Sequence, residues 1–118
     1  MKEGLVGIEI EERENVVVAR VTGELDIAGA SRTGDRIAEA VPTSVLGIVV
    51  DFSDLEFLDS SGIAMLFGLA RMLGGRRQQL GVVAPSGGPI ARVLEIVEFE
   101  RAAPVHGELE PAVAEIAR

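Results

Sequence analysis

The sequence predicts an α/β fold: a mixed, mostly parallel sheet with an N-terminal antiparallel hairpin and about four helices, in the order β-β-α-β-α-β-α-β-α. Three observations lead there. Leu5–Glu11 alternates apolar and polar residues, the period of a strand with one wet face. Two later stretches, "VLGIVVDF" (Val45–Phe52) and "QQLGVVAP" (Gln78–Pro85), are apolar on both parities, as inner strands covered on both faces are. Segments with apolar residues at helical spacing alternate with them, and that alternation builds a parallel sheet with helices packed on it.

Each element follows from local chemistry. In the first strand Val6, Ile8 and Ile10 alternate with Gly7, Glu9 and Glu11. "EREN" (Glu12–Asn15) is a polar turn into a second strand, Val16–Thr22, and the two form a hairpin. "GELD" follows. In "IAGASRTGDRIAEAVP", Ala30, Ile37, Ala38 and Val41 recur at helical spacing and Pro42 marks the stop. Gly29 and Gly34 weaken this first helix, each by up to ~1 kcal/mol relative to alanine. The Val45–Phe52 strand comes next. A second helix runs from Ser60 to about Leu73, with Gly74 and Gly75 as a left-handed stop. After the buried "QQLGVVAP" strand, Pro89 opens a third helix that buries Ile90, Val93, Leu94 and Val97. A short strand at Ala103–His106 and a terminal helix from Pro111, carrying Val113 and Ile116, complete the order. There is no internal repeat or linker, so a single domain over 1–118 is expected.

Composition narrows the function classes. The chain is 47% hydrophobic with a mean hydropathy of +0.32, enough to bury a core. It has no Cys, Trp or Tyr and four Phe, so that core is aliphatic, and disulfides and cysteine-bound metals are excluded. The one histidine, His106, cannot supply a two-histidine zinc site or a conventional triad with a nearby serine. Beside a turn, it reads as structural or solvated. The net charge is −8 and Lys2 is the only lysine, which argues against direct nucleic-acid and membrane-surface partners. The start "MKEGLVGIEIEER" has no apolar signal core, and no run approaches ~20 apolar residues. A cytoplasmic location is expected.

The segment "EFLDSSGIAML" (Glu56–Leu66) carries the candidate chemistry, and three roles compete for its serines. A hydrolase serine usually sits in G-x-S-x-G with an acid and a histidine following, and without an activating base a serine hydroxyl is a poor nucleophile. No catalytic residue is assigned. Asp51, Asp54 and Asp59 resemble an Mg²⁺ pocket only in part, because the lysine such a receiver needs is absent; Asp51 and Asp54 read as solvated charges. No phosphate-cradling G-x-x-x-x-G-K-[ST] occurs, so neither cofactor nor metal is expected. Helix capping by Asp59, Ser60 or Ser61 is worth ~1 kcal/mol but needs only one of them.

The helix that follows adds a further signal. Ile63, Leu66, Phe67, Ala70 and Leu73 share one face and should pack on the sheet. Met65, Leu69 and Met72 repeat at i, i+4 and i+7 on roughly the opposite face, and Arg71 is the only charge between Ser61 and Leu73. A helix apolar nearly all round is either covered by another helix of its own chain or by a partner. Methionine suits an adaptable contact surface. A partner bound through Met65, Leu69 and Met72, with a switchable serine at the helix tip, is the preferred expectation.

Taken together, the hairpin, "VTGELD" (Val21–Asp26), "VVDFSDLEFLDSSGIAML" (Val49–Leu66) and "GGRRQQLGVVAP" (Gly74–Pro85) resemble a STAS domain, and more narrowly a bacterial anti-sigma-factor antagonist. The resemblance implies the STAS fold. It also implies a phosphorylation site at the first serine of D-S-S-G, Ser60, with Asp26, Asp59, Ser61 and Gly62 as its neighbours. Its implied partners are an anti-sigma factor that is also an ATP-dependent serine kinase, and a metal-dependent serine phosphatase that reverses the modification. The unphosphorylated antagonist would hold the anti-sigma factor and free the sigma factor. The alternative is a non-phosphorylated STAS interaction subunit of a transporter or signalling assembly.

Overall fold

In a computed structural model residues 6–117 are described; Lys2 and Leu5, named above, lie outside them. Strands β1 (Val6–Arg13) and β2 (Val16–Leu25) pair antiparallel from Val6↔Gly23 to Arg13↔Val16. The turn is tighter than "EREN" predicts. Only Glu14 and Asn15 lie outside the ladder, with φ of 54° and 66°. Positive φ at both loop positions is the type I′ conformation, one of the two turns whose twist matches the right-handed twist of the strands.

There follow α1 (Ala30–Glu39), β3 (Gly47–Asp51), β4 (Leu55–Leu58), α2 (Ser60–Gly75), β5 (Gln79–Val83), α3 (Pro89–Ile96), a 3-10 turn at Phe99–Arg101, β6 (Val105–His106) and α4 (Leu109–Ala117). The sheet order is β1-β2-β3-β5-β6, and β4 pairs with the end of β2 beyond β3. All strand pairs except β1–β2 are parallel. The fold is the α/β arrangement the sequence predicts, with one more strand. β4 is four residues, "LEFL", too short for a period to show. It joins β2 after a register shift at Gly23, whose φ of 91° is a conformation glycine adopts without steric cost.

The helical crossovers through α1, α2 and α3 all move in the same direction along the sheet, and crossovers of one hand then place their helices on one face. That face holds the main core. Val17, Ala19, Val21, Ile48, Val50 and Val82 of the strands meet Ile37 of α1, Leu66, Leu69 and Leu73 of α2, and Ile90 and Leu94 of α3. The opposite parity, Val16, Val18, Val49 and Val83, packs under Ala112, Val113 and Ile116 of α4. The doubly apolar inner strands are thus covered on both sides, as their sequence requires.

Three details depart from expectation, the first being Val97, which follows α3 at 38% exposure instead of being buried with Ile90 and Leu94. Helix α2 runs through Gly74 and Gly75, and the left-handed residue after it is Arg77, with φ of 59°. Fixed polar contacts hold that end in place of a glycine stop. Gln78 Nε2 donates to the carbonyls of Pro42 and Val45, each at 2.9 Å, and Arg76 Nη2 donates to the Val41 carbonyl at 2.7 Å. Together they tie the exit of α2 to the exit of α1. Asp51, expected to be a solvated charge, is 1% exposed. It accepts the Ser53 N–H at 2.9 Å and the Ser53 hydroxyl at 2.6 Å, with Arg20 Nε at 3.7 Å. A buried carboxylate persists only when its oxygens are satisfied in this way.

The other end of α2 is set by close approach. Gly62 is buried, and a β-carbon there would run into the Leu58 side chain and lie 3.1 Å from the Leu25 carbonyl oxygen. The Asp59 N–H donates to that same Leu25 carbonyl at 3.3 Å. Gly62→Ala is therefore expected to lower stability by about 1–3 kcal/mol, because overpacking outweighs the ~1 kcal/mol gain in helix propensity. Gln78→Ala takes the buried donor from the Val45 carbonyl but also removes the unpartnered Gln78 Oε1, and should cost about 1 kcal/mol, whereas the exposed neighbour Gln79→Ala should stay within about 0.5 kcal/mol. Urea unfolding of the three variants checks both expectations.

Candidate functional site

The candidate site lies where β2 and β4 end side by side. Leu25 pairs with Leu58, so the next residues of each chain segment, Asp26 and Asp59, leave the sheet together. Asp26 starts the turn into α1: its Oδ1 accepts the Ala28 N–H at 3.0 Å and its carbonyl accepts those of Gly29 and Ala30 at 3.1 and 2.9 Å. Asp59 is the N-cap of α2. Its Oδ1 accepts the Ser61 N–H at 2.9 Å and the Gly62 N–H at 3.3 Å, and its carbonyl accepts the Ile63 N–H at 3.0 Å.

This settles how the cap is divided among the three polar residues. An N-cap needs one side-chain oxygen, and Asp59 provides it. Ser60 is the first residue of the helix, exposed, with its hydroxyl left out of the cap. Ser61 is half-buried and turned toward α1, and Gly62 lies underneath against β2 and β4. The structure thus brings Asp26, Asp59, Ser60, Ser61 and Gly62 to one corner of the molecule.

The methionine stripe is placed differently from expectation. Leu69 is 4% exposed and belongs to the main core, while Met65 and Met72 are half-buried and packed against it. Helix α1 lies along α2, so the chain itself covers this side, the alternative that helix periodicity alone leaves open. Met72 sits about 10 Å farther along the axis than Met65, at 1.5 Å per residue, and receives Arg76 Nη1 on its sulfur at 3.9 Å. Of the three, only Met65 borders the surface near Ser60.

What the corner does expose is a groove of about 460 Å³ between α1 and α2, lined by Ile27, Ala30 and Gly34 on one side and Ser61, Ala64 and Met65 on the other. Ile27, which the sequence reading passed over, is 82% exposed. A large apolar residue directly after "GELD", outside any periodic segment, is the signal that marks it.

The one histidine of the chain is remote from Ser60. His106 lies on β6, with β5 and β3 between it and the β2/β4 corner, and its Nε2 is 2.8 Å from Glu115 Oε1. Among the described residues no group of three or more His, Asp or Glu side chains is arranged to hold a metal ion. No helix among them is long and apolar enough to cross a membrane.

Comparison with known proteins agrees with this architecture. Over 112 residues the chain is 26% identical to the anti-sigma F factor antagonist of Paenibacillus polymyxa, covering 92% of this chain and 93% of that one. Its fold superposes on the crystal structure of an anti-sigma factor antagonist from Mycobacterium paratuberculosis with a TM-score of 0.86, at 26% identity and covering 97% and 96% of the two chains. It also matches the unphosphorylated form of the anti-sigma factor antagonist SpoIIAA, with a TM-score of 0.69 at 23% identity and coverage of 92% and 96%. The family model of the STAS domain matches residues 7–115, and with the hairpin, the parallel sheet and the D-S-S-G corner in place, the chain belongs to the STAS domain family.

Proposed function

We propose that this STAS domain is an anti-sigma-factor antagonist of the cytoplasm, which binds an anti-sigma factor with serine-kinase activity and is released when that kinase phosphorylates Ser60. A metal-dependent serine phosphatase would restore the binding form. The single observation that carries the proposal is the division of labour at the start of α2. Asp59 caps the helix, and Ser60 stands exposed beside it with its hydroxyl uncommitted. A serine hydroxyl with no activating base of its own is a weak nucleophile, and the kinase's base would activate it for attack on the γ-phosphate. Similarity to proteins that carry the antagonist name supports the same function.

The chemistry suits a switch. Transfer of the γ-phosphoryl group of ATP to the Ser60 oxygen forms an ester and releases ADP, adding about −1.5 to −2 charges near pH 7. Asp59 already engages two N–H groups of the first turn, so the phosphate joins a carboxylate at this corner instead of filling an empty anion site. The isolated fold tolerates the charge because it projects into solvent from the periphery. A desolvated interface does not: a like-charge pair about 6 Å apart at an effective dielectric of ~20 costs ~3 kcal/mol, on the order of 100-fold in affinity.

Titration calorimetry of the purified anti-sigma kinases of the source organism tests this. Ser60→Ala should bind as the wild type does and accept no phosphate. Ser60→Asp should bind at least tenfold more weakly while unfolding at the same urea concentration. If Ser60→Asp binds every kinase as tightly as wild type, the switch is not at Ser60. If unmodified wild type binds none of them, the constitutive STAS subunit becomes the better account.

A further inference from the structure

We infer that the groove between α1 and α2 receives an apolar side chain of the anti-sigma kinase, and that Gly34 and Met65 set its width and so determine which kinase is accepted. The inference deepens the function proposed above and rests on it. An enzyme that phosphorylates Ser60 must bring a γ-phosphate to the Ser60 oxygen, and in doing so it covers the surface next to that residue. The groove begins one residue further on, at Ser61, and continues along Ala64 and Met65. It is contiguous with any footprint centred on Ser60.

The lining specifies the occupant. Ile27, Ala30, Gly34, Ala64 and Met65 offer carbon, and Ile27 at 82% exposure is the most solvent-exposed large apolar residue described. Removing such surface from water favours association. Asp35 is the one charged residue in the lining, and Asp26 and Asp59 stand at the same end of the molecule. An aliphatic or aromatic side chain flanked by arginine or lysine fits this combination of apolar floor and acidic surround.

Gly34 makes the groove possible. A β-carbon at this position would lie 2.8 Å from Met65 Cγ and 3.5 Å from its sulfur. With any other residue, either α1 moves off α2 or Met65 swings outward into the groove. Glycine inside a helix costs about 1 kcal/mol relative to alanine, and here its missing side chain is what leaves room beside Ser61.

Three variants test the inference by calorimetric titration with the anti-sigma kinase that binds wild type, alongside urea unfolding and phosphorylation of Ser60. Gly34→Ala should retain wild-type stability within about 1 kcal/mol, since the gain in helix propensity offsets the crowding, yet bind at least fivefold more weakly. Adding Met65→Ala to Gly34→Ala reopens the groove and should recover most of the loss, a rescue that a general packing defect would not show. Ile27→Asp, at an exposed loop position that no folding defect reaches, should weaken binding at least tenfold. Wild-type affinity in both Gly34→Ala and Ile27→Asp overturns the groove, even where Ser60→Asp shows the switch itself to be intact. If wild type binds no kinase, the groove and the switch fall together.

Discussion

The site depends on how closely the first turn of α2 seats on the paired ends of β2 and β4. The Leu25 carbonyl accepts the Asp59 N–H from one side and has Gly62 pressed against it from another. Close approach of that kind requires a residue with no side chain, and it fixes the direction in which the helix leaves the sheet. Asp59 is then in position to cap the turn, Ser60 is left pointing into solvent, and Ser61 is brought to the edge of α1. A helix start held by a longer or looser turn would hold none of these at a defined angle. The glycine of D-S-S-G is therefore as much a part of the site as the serine.

The rest of the fold keeps that corner at the periphery. The main core gathers beneath α1, α2 and α3, a second and smaller one lies beneath α4, and both centre on the valine-rich interior of β2, β3 and β5. The far end of α2 is anchored by Gln78 and Arg76 to the loop leaving α1. Helices α1 and α2 are thus joined at one end by polar contacts and meet at the other through Gly34 and Met65, with the groove opening beside Ser60. A charge added at Ser60 acts on whatever covers this corner and leaves the cores untouched. On the proposed function, that separation would let phosphorylation of Ser60 change binding without changing the fold.

Most of the architecture was legible because it follows from burial pattern. Period-two alternation marked β1, continuous apolar runs marked β3 and β5, and Pro42 and Pro89 marked the end of one helix and the beginning of another. The misses share a physical cause, which is that tertiary contacts decide them. β4 is too short to show a period and exists because β2 outruns β3 and offers an open edge. Arg77 takes the left-handed position after α2 although two glycines precede it, because Gln78 is held by Pro42 and Val45. Asp51 is buried because Ser53, two residues on, satisfies its oxygen, and "DFS" carries that hint in its Asp-x-Ser spacing. At the corner, the helix start with a polar cap among Asp59, Ser60 and Ser61 was legible from D-S-S-G. The covering of Leu69 was not, since helix periodicity shows which residues share a face but not which neighbour lies over it.

The central claim is that Ser60 is a substrate whose neighbour does the capping. The most direct measurement is site mapping by tandem mass spectrometry after incubation with the anti-sigma kinase that binds the protein, ATP and Mg²⁺. The account requires a single added phosphate, on Ser60, with Ser61 unmodified. A phosphate on Ser61 or elsewhere, or none from a kinase that binds the protein tightly, would contradict it.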